Sequence, residues 1–141
     1  MAAAVADFRP KAVSKTKIAR DGAGLTLELE PTQDILAEAA TRARANAGAG
    51  PRPLIVGFAA ETGSLDRAPA KAAKKGVDLM VANDVAQEGS GFGTDTNKVT
   101  VIEPNGPTES WPMMSKHQVA DRLLDRLIGL RSAKGAELAA T

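Results

Sequence analysis

Two short apolar runs constrain this chain most. They are Leu54-Ile-Val-Gly-Phe58 and Val77-Asp-Leu-Met-Val-Ala82, each next to segments of helical character. Runs this short and this poor in polar residues suit strands covered on both faces, as in parallel sheets flanked by helices. Pro31-Thr32 opens one such helix over residues 33–46, with Asp34 in its positive first turn and Ile35, Leu36, Ala39, Ala40 and Ala43 as its apolar face. Gly48 to Pro53 ends it. A second helix, capped by Ser64 or Asp66, stops at Gly76, a residue suited to the left-handed position after a helix.

The remaining segments fill in around these. Met1 to Phe8 reads as the end of a buried strand, entering a basic loop over 9–24 with Lys11, Lys15, Lys17 and Arg20. Leu25 to Glu30 alternates apolar and polar residues, the mark of a half-buried strand. Lys98–Ile102 and Thr108–Met113 flank Pro104-Asn-Gly-Pro107, which predicts a hairpin around an Asn-Gly turn. That hairpin carries Trp111, Met113 and Met114 and is expected to expose an apolar edge. Ser115 with Gln118 forms a capping box, and Val119, Ala120, Leu123, Leu124, Leu127 and Ile128 make one helical stripe. The element order predicts an α/β fold with a mainly parallel sheet and an antiparallel edge hairpin. One domain would cover residues 1–131, with a flexible tail at 132–141.

Composition removes several functions. The 141 residues carry a net charge of +1, and Phe8, Phe58, Phe92 and Trp111 are the aromatic residues, so a nucleic-acid surface is not expected. There is no cysteine and one histidine, which excludes a disulfide scaffold, a thiol nucleophile and a cysteine-built zinc site. No apolar run approaches the roughly 20 residues of a membrane helix. The sequence reads as a cytoplasmic, soluble protein.

Ligands of open α/β sheets gather beyond the carboxyl ends of the strands. Asp7-Phe8-Arg9, Phe58 to Thr62 and Asn83-Asp84 are placed there by the expected topology. Lys71 and Lys75 lie four apart on one helical face, an arrangement that suits an anion between them or a solvated surface. Gly89-Ser-Gly-Phe-Gly93 precedes a strand rather than a helix, so its glycines are expected to serve a tight turn and not a phosphate loop. His117 is expected at the surface.

Specific words take the reading further. Ala2-Ala-Ala-Val-Ala-Asp-Phe-Arg-Pro10, Val56-Gly-Phe-Ala-Ala-Glu-Thr62, Lys75-Gly-Val-Asp-Leu79, Val81-Ala-Asn-Asp-Val85 and Gly91-Phe-Gly93 occur in this order. Together they resemble the ligase domain of bacterial phosphopantothenate–cysteine ligases. The resemblance implies a Rossmann-like, ribokinase-like three-layer domain whose N-terminal part lies upstream, so that this chain is a fragment expected to be inactive alone. It implies CTP-dependent joining of 4'-phosphopantothenate to cysteine through an acyl-cytidylate, with magnesium serving the phosphates. It also implies a homodimer, expected to use the hairpin at 98–113, and a fused or associated flavin-dependent decarboxylase. Matched by motif, the nucleotide contacts would be Met1, Ala2, Ala3, Asp7, Lys17, Gln33, Asp34, Ile35, Leu36, Phe58, Lys71 and Lys75, with Lys17 as the catalytic cation. The family usually shows Lys-x-Lys-Lys where this chain has Lys17-Ile-Ala-Arg20, which leaves Lys15 as an alternative. A non-catalytic nucleotide-binding or regulatory subunit of the same fold is the second reading.

Overall fold

The computed structural model describes residues 5–20, 22, 24–46, 52–91 and 93–139, with side chains to residue 133. The chain divides into two compact units, Ala3–Ile35 and Leu36–Thr141.

The first unit is a two-stranded ribbon. β1 (Phe8–Pro10) pairs antiparallel with β2 (Leu29–Pro31), placing Arg9 opposite Glu30. The Lys11 N–H extends the pairing to the Glu28 carbonyl at 2.9 Å. Ion pairs Arg9–Glu30 at 2.7 Å and Lys11–Glu28 at 3.2 Å run along it. Two expectations are corrected here. Among the described residues the strand covers 8–10 and is exposed rather than buried, while Met1 to Ala4, where the expected strand begins, lie outside the described residues. The alternation of Leu25, Leu27 and Leu29 does not mark a half-buried strand: β2 covers only Leu29–Pro31, and all three leucines are exposed.

The second unit begins with α1 (Ile35–Ala45), whose Leu36, Ala40 and Ala43 are buried. β3 (Val56–Glu61), α2 (Ala68–Lys75) and β4 (Leu79–Asp84) follow. Next come β5 (Thr96–Asn97), β6 (Thr100–Ile102), β7 (Thr108–Ser110), β8 (Met114–Ser115) and α3 (Lys116–Ala139). α3 thus continues past Arg131, where a tail was expected. The main sheet has the order β3-β4-β6-β7. Only β3 and β4 run parallel among the described strands; β4-β6 and β6-β7 are antiparallel. The expected mainly parallel sheet is therefore corrected: the hairpin docks directly on β4 and reverses the pairing there.

β4 organises the core because its successive side chains point to opposite faces. Leu79 and Val81 join Val99, Val101, Trp111, Val119 and Leu123 on the α3 side. Met80 and Ala82 join Leu36, Ala59, Ala68, Ala72, Val77 and Ile102 beneath α1 and α2. β3, expected to be covered on both faces, buries only Gly57 and Ala59, while Phe58 and Ala60 are exposed. A Cβ at Gly57 would stand 2.9 Å from Leu36 Cδ2 and 3.0 Å from Met80 Sδ. The missing side chain is what lets the first turn of α1 settle onto β3.

Local chemistry sets the ends of these elements. Gly76 closes α2 with φ 65°, its N–H donating to the carbonyls of Ala72 and Ala73. Neither Ser64 nor Asp66 caps α2; Arg67 occupies the cap without a side-chain bond, and the Ser64 hydroxyl accepts the Asp66 N–H. At α3 both halves of the capping box form: Ser115 N–H to Gln118 Oε1 at 2.9 Å and Gln118 N–H to Ser115 Oγ at 3.2 Å. The hairpin turn differs from expectation. The Gly106 N–H donates to the Glu103 carbonyl across Pro104-Asn105, and neither Asn105 nor Gly106 has the positive φ of a two-residue Asn-Gly turn. At the amino ends of β3 and β4, Arg52 grips Asp78 through paired bonds of 2.9 and 2.7 Å. The hydrogen bond to Asp78 raises the Arg52 pKa, partial burial opposes it, and the charge of Asp78 adds to the rise.

Candidate functional site

The parallel pair β3-β4 ends in a polar rim. In register, Ala60 lies beside Asn83 and Glu61 beside Asp84, so both carboxylates sit at the carboxyl ends of their strands. Asp84 Oδ1 accepts the N–H groups of Gly63 at 3.2 Å and Ala86 at 2.9 Å, which closes the turns after both strands. Glu61 instead receives Lys71 from α2, Nζ to Oε1 at 2.7 Å. Phe58, two positions before Ala60, presents a ring that is 51% exposed on the uncovered face of β3. Lys75 stands one turn beyond Lys71 on α2 and is partly buried.

The glycine loop after β4 folds back on itself, as its sequence position suggested. Gly89, Gly91 and Gly93 all have positive φ. The Thr96 hydroxyl donates to the Gly89 carbonyl, and the Thr94 hydroxyl to the carbonyls of Gly91 and Thr96. Ser90, 5% exposed, donates its hydroxyl to Asn97 Oδ1 at 2.5 Å, and Asn83 Nδ2 donates to the same oxygen at 3.3 Å. Lys116 Nζ donates to the Gly91 carbonyl at 3.1 Å. This network fixes the Asn83 amide at the rim. Sequence reasoning did not find Ser90, Asn97 or Lys116, because their partnership depends on the loop path and leaves no periodic signal.

The structure brings some of the sequence-derived site residues together and separates others. In the second unit, Lys71 and Lys75 lie on α2, on the side of the sheet where Leu36 packs against Gly57, whereas Phe58 stands beside Val81 on the opposite, α3 side. The Leu36 side chain is buried in the core, so its backbone is what remains for a ligand. In the first unit, the Asp7 carbonyl accepts the Thr32 N–H at 2.9 Å, which sets Asp7 beside the start of Gln33-Asp34-Ile35. Ile35 N–H in turn bonds the Gln33 carbonyl at 3.0 Å. Lys17 is exposed in the stretch between β1 and β2. Met1, Ala2 and Ala3 lie outside the described residues. His117 is exposed, as expected.

The hairpin corrects a further expectation. Trp111 is not part of an exposed apolar edge: it is 1% exposed, faces Val99, Val101 and α3, and lies under the Arg122 guanidinium, 4.6 Å from the ring centroid. The edge strand β7 shows Thr108, Glu109 and Ser110 to solvent. Among the described residues, no helix is long and apolar enough to cross a membrane.

Residues 1–130 match the family described as DNA/pantothenate metabolism flavoprotein C-terminal domain. A coenzyme A biosynthesis bifunctional protein CoaBC of Bacillus subtilis is 42% identical over 134 residues, covering 94% of this chain and 31% of that protein. Its counterpart in Mycobacterium bovis is 41% identical over 134 residues, covering 91% and 32%. A crystal structure of the C-terminal domain of a CoaBC protein superposes with a TM-score of 0.64 and 34% identity, covering 93% of this chain and 55% of that one. The chain thus spans about a third of the length of these curated relatives.

Proposed function

Given that the chain belongs to the DNA/pantothenate metabolism flavoprotein C-terminal domain family, we propose that it is the nucleotide-contacting part of a CTP-dependent phosphopantothenate–cysteine ligase acting in coenzyme A synthesis in the cytoplasm. The observation that carries this reading is the family match over residues 1–130. The rim supports it chemically: the Lys71 ammonium at Glu61, at the carboxyl end of β3, suits an anionic ligand there.

In the proposed reaction, a carboxylate oxygen of 4'-phosphopantothenate attacks the α-phosphorus of CTP, and the bond to the bridging oxygen breaks to release pyrophosphate. The cysteine amine then attacks the acyl carbon, CMP leaves with the bonding pair, and the amine proton is lost to solvent. Lys71 and Lys75 hold phosphate oxygens, Phe58 packs beside the nucleotide, and Asp7 with the residues opening α1 completes its binding. Lys17 neutralises charge on the transferring phosphoryl group. Among the described residues no three His, Cys, Asp or Glu side chains are grouped to hold a metal. Magnesium is proposed to serve the nucleotide phosphates, as in the ligase family the chain resembles. We further propose a homodimer and a fused or associated flavin-dependent decarboxylase. Exposed apolar side chains that can serve self-association include Phe8, Val13, Ile18, Leu25, Leu27 and Leu29 of the first unit, Met113 at the hairpin, and Leu124 and Ile128 of α3.

A ligase with the complete domain tests the nucleotide assignment. With CTP and ATP at equal concentration, pyrophosphate release should favour CTP, and equal or faster turnover with ATP would overturn the assignment. The lysines are tested by calorimetric titration of CTP with magnesium. Lys71→Ala and Lys75→Ala should each weaken binding by roughly 1.5–3 kcal/mol, the range for a hydrogen bond to a charged group. Unchanged affinity in both would return them to the solvated face of α2.

A further inference from the structure

The Glu61–Lys71 pair is placed where the proposed nucleotide phosphates must compete with it. Its side chains are 31% and 44% exposed at the end of β3, so water screens the pair and its rupture carries a small penalty. Neighbouring Asp84, by contrast, is committed to the N–H groups of Gly63 and Ala86 and holds the backbone in shape. Glu61 has thus placed a negative charge directly on a lysine expected to meet an anion.

We propose that Glu61 is the counter-ion Lys71 exchanges for a nucleotide phosphate, and that its carboxylate limits how tightly the site holds the nucleotide. This rests on the reading that Lys71 meets a phosphate. A ligand phosphate must draw the ammonium away from Oε1 and then tolerate a carboxylate close by. Both effects weaken binding, and both grow with the negative charge of the ligand. Glu61 is a positioning residue, acting through Lys71 and through its own charge. For an enzyme that must release pyrophosphate and then CMP, a site held below its maximal affinity favours turnover.

Calorimetry on a ligase carrying the complete domain, with CTP and with CMP, at low and high salt, tests this. Glu61→Gln keeps the shape of the side chain and removes its charge. It should bind CTP about threefold to tenfold more tightly, the scale of one charge at a partly exposed position. CMP should gain less, and the gain should shrink at high salt. Glu61→Asp keeps the charge and should stay close to the parent. Glu61→Thr, with a side chain suited to a strand, repeats the neutralisation should the glutamine variant not fold. A neutral variant that binds CTP no better than the parent, or an equal gain in Glu61→Asp, overturns the proposal. Lys71→Ala separates the two levels. If it weakens CTP binding while Glu61→Gln fails to tighten it, only the role of Glu61 is lost. If Lys71→Ala binds as the parent does, or the parent chain binds no CTP, the site reading falls and Glu61 with it.

Discussion

Lys17→Gln, in a ligase carrying the complete domain, should slow acyl-cytidylate formation by about a hundredfold or more, the scale of removing one preorganised charge-stabilising donor. Negative charge builds on the phosphoryl oxygens as the carboxylate attacks, and an ammonium placed there stabilises that state more than the bound ground state. CTP affinity should therefore fall much less than the rate. Lys17 is well suited to such a role. It is exposed between β1 and β2, in a stretch that has no strand pairing among the described residues. A tight turn precedes it, in which the Ser14 hydroxyl donates to the Thr16 carbonyl at 2.6 Å and accepts the Thr16 N–H at 3.3 Å. Lys15 sits inside that turn and Lys17 just beyond it, so the two lysines are presented differently. Single-turnover quench with labelled CTP follows the intermediate directly. A normal rate for Lys17→Gln beside a slow Lys15→Gln would move the role to Lys15. Normal rates for both would remove the cation from this stretch, and Lys71 would become the first candidate.

Trp111→Ala should lower the stability of the second unit by about 3–5 kcal/mol, the range for truncating a large buried aromatic. The indole is among the largest side chains fully buried here, and it fills the space between Val99, Val101 and α3. Removing it leaves a cavity that the strands on one side and the helix on the other cannot both close. The Arg122 guanidinium would also lose the ring beneath it, keeping only its pair with Glu109. Trp111→Phe should cost less, since it keeps most of the volume and removes an indole N–H that has no partner in the core. Urea unfolding followed by far-UV circular dichroism measures both. A loss below about 1 kcal/mol for Trp111→Ala would mean the site collapses freely and the packing described here is not what holds α3.

What could be read from sequence was what short-range chemistry decides. Ser115 and Gln118 face each other across one helical turn, so their reciprocal bonds needed no knowledge of the rest of the chain. Gly76 closes α2 for a similar reason: the left-handed turn there suits a residue without a Cβ. The apolar run at β4 was legible because that strand is covered on both faces. The same pattern misled at β3, where four consecutive apolar residues alternate between core and solvent. The orientation of Trp111 was hidden too, since hydrophobicity does not say which face of a hairpin meets the core. Nor did alternation reveal that the pairing of β1 and β2 stops short of Leu25 and Leu27, because strand partners are set by distant residues. At the candidate site, Lys71 was found by its helical spacing, but its bond to Glu61 joins residues ten apart in different elements. The Ser90–Asn97–Asn83 network was invisible for the same reason.

That network has a mechanical consequence. Asn97 belongs to β5, whose antiparallel partner β8 ends at Ser115, the residue that starts α3. Lys116, in the first turn of α3, holds the loop at Gly91 as well. The Asn83 amide and the start of the terminal helix are therefore two ends of one short lever, with the glycine loop as its pivot. A load that tilts the first turn of α3 is transmitted to the rim through both linkages. A load applied far along the helix, past Arg131, is several turns removed from that pivot. Attachments to this chain are thus best borne at the distal end of α3, where the lever has its least purchase on the rim of β3 and β4.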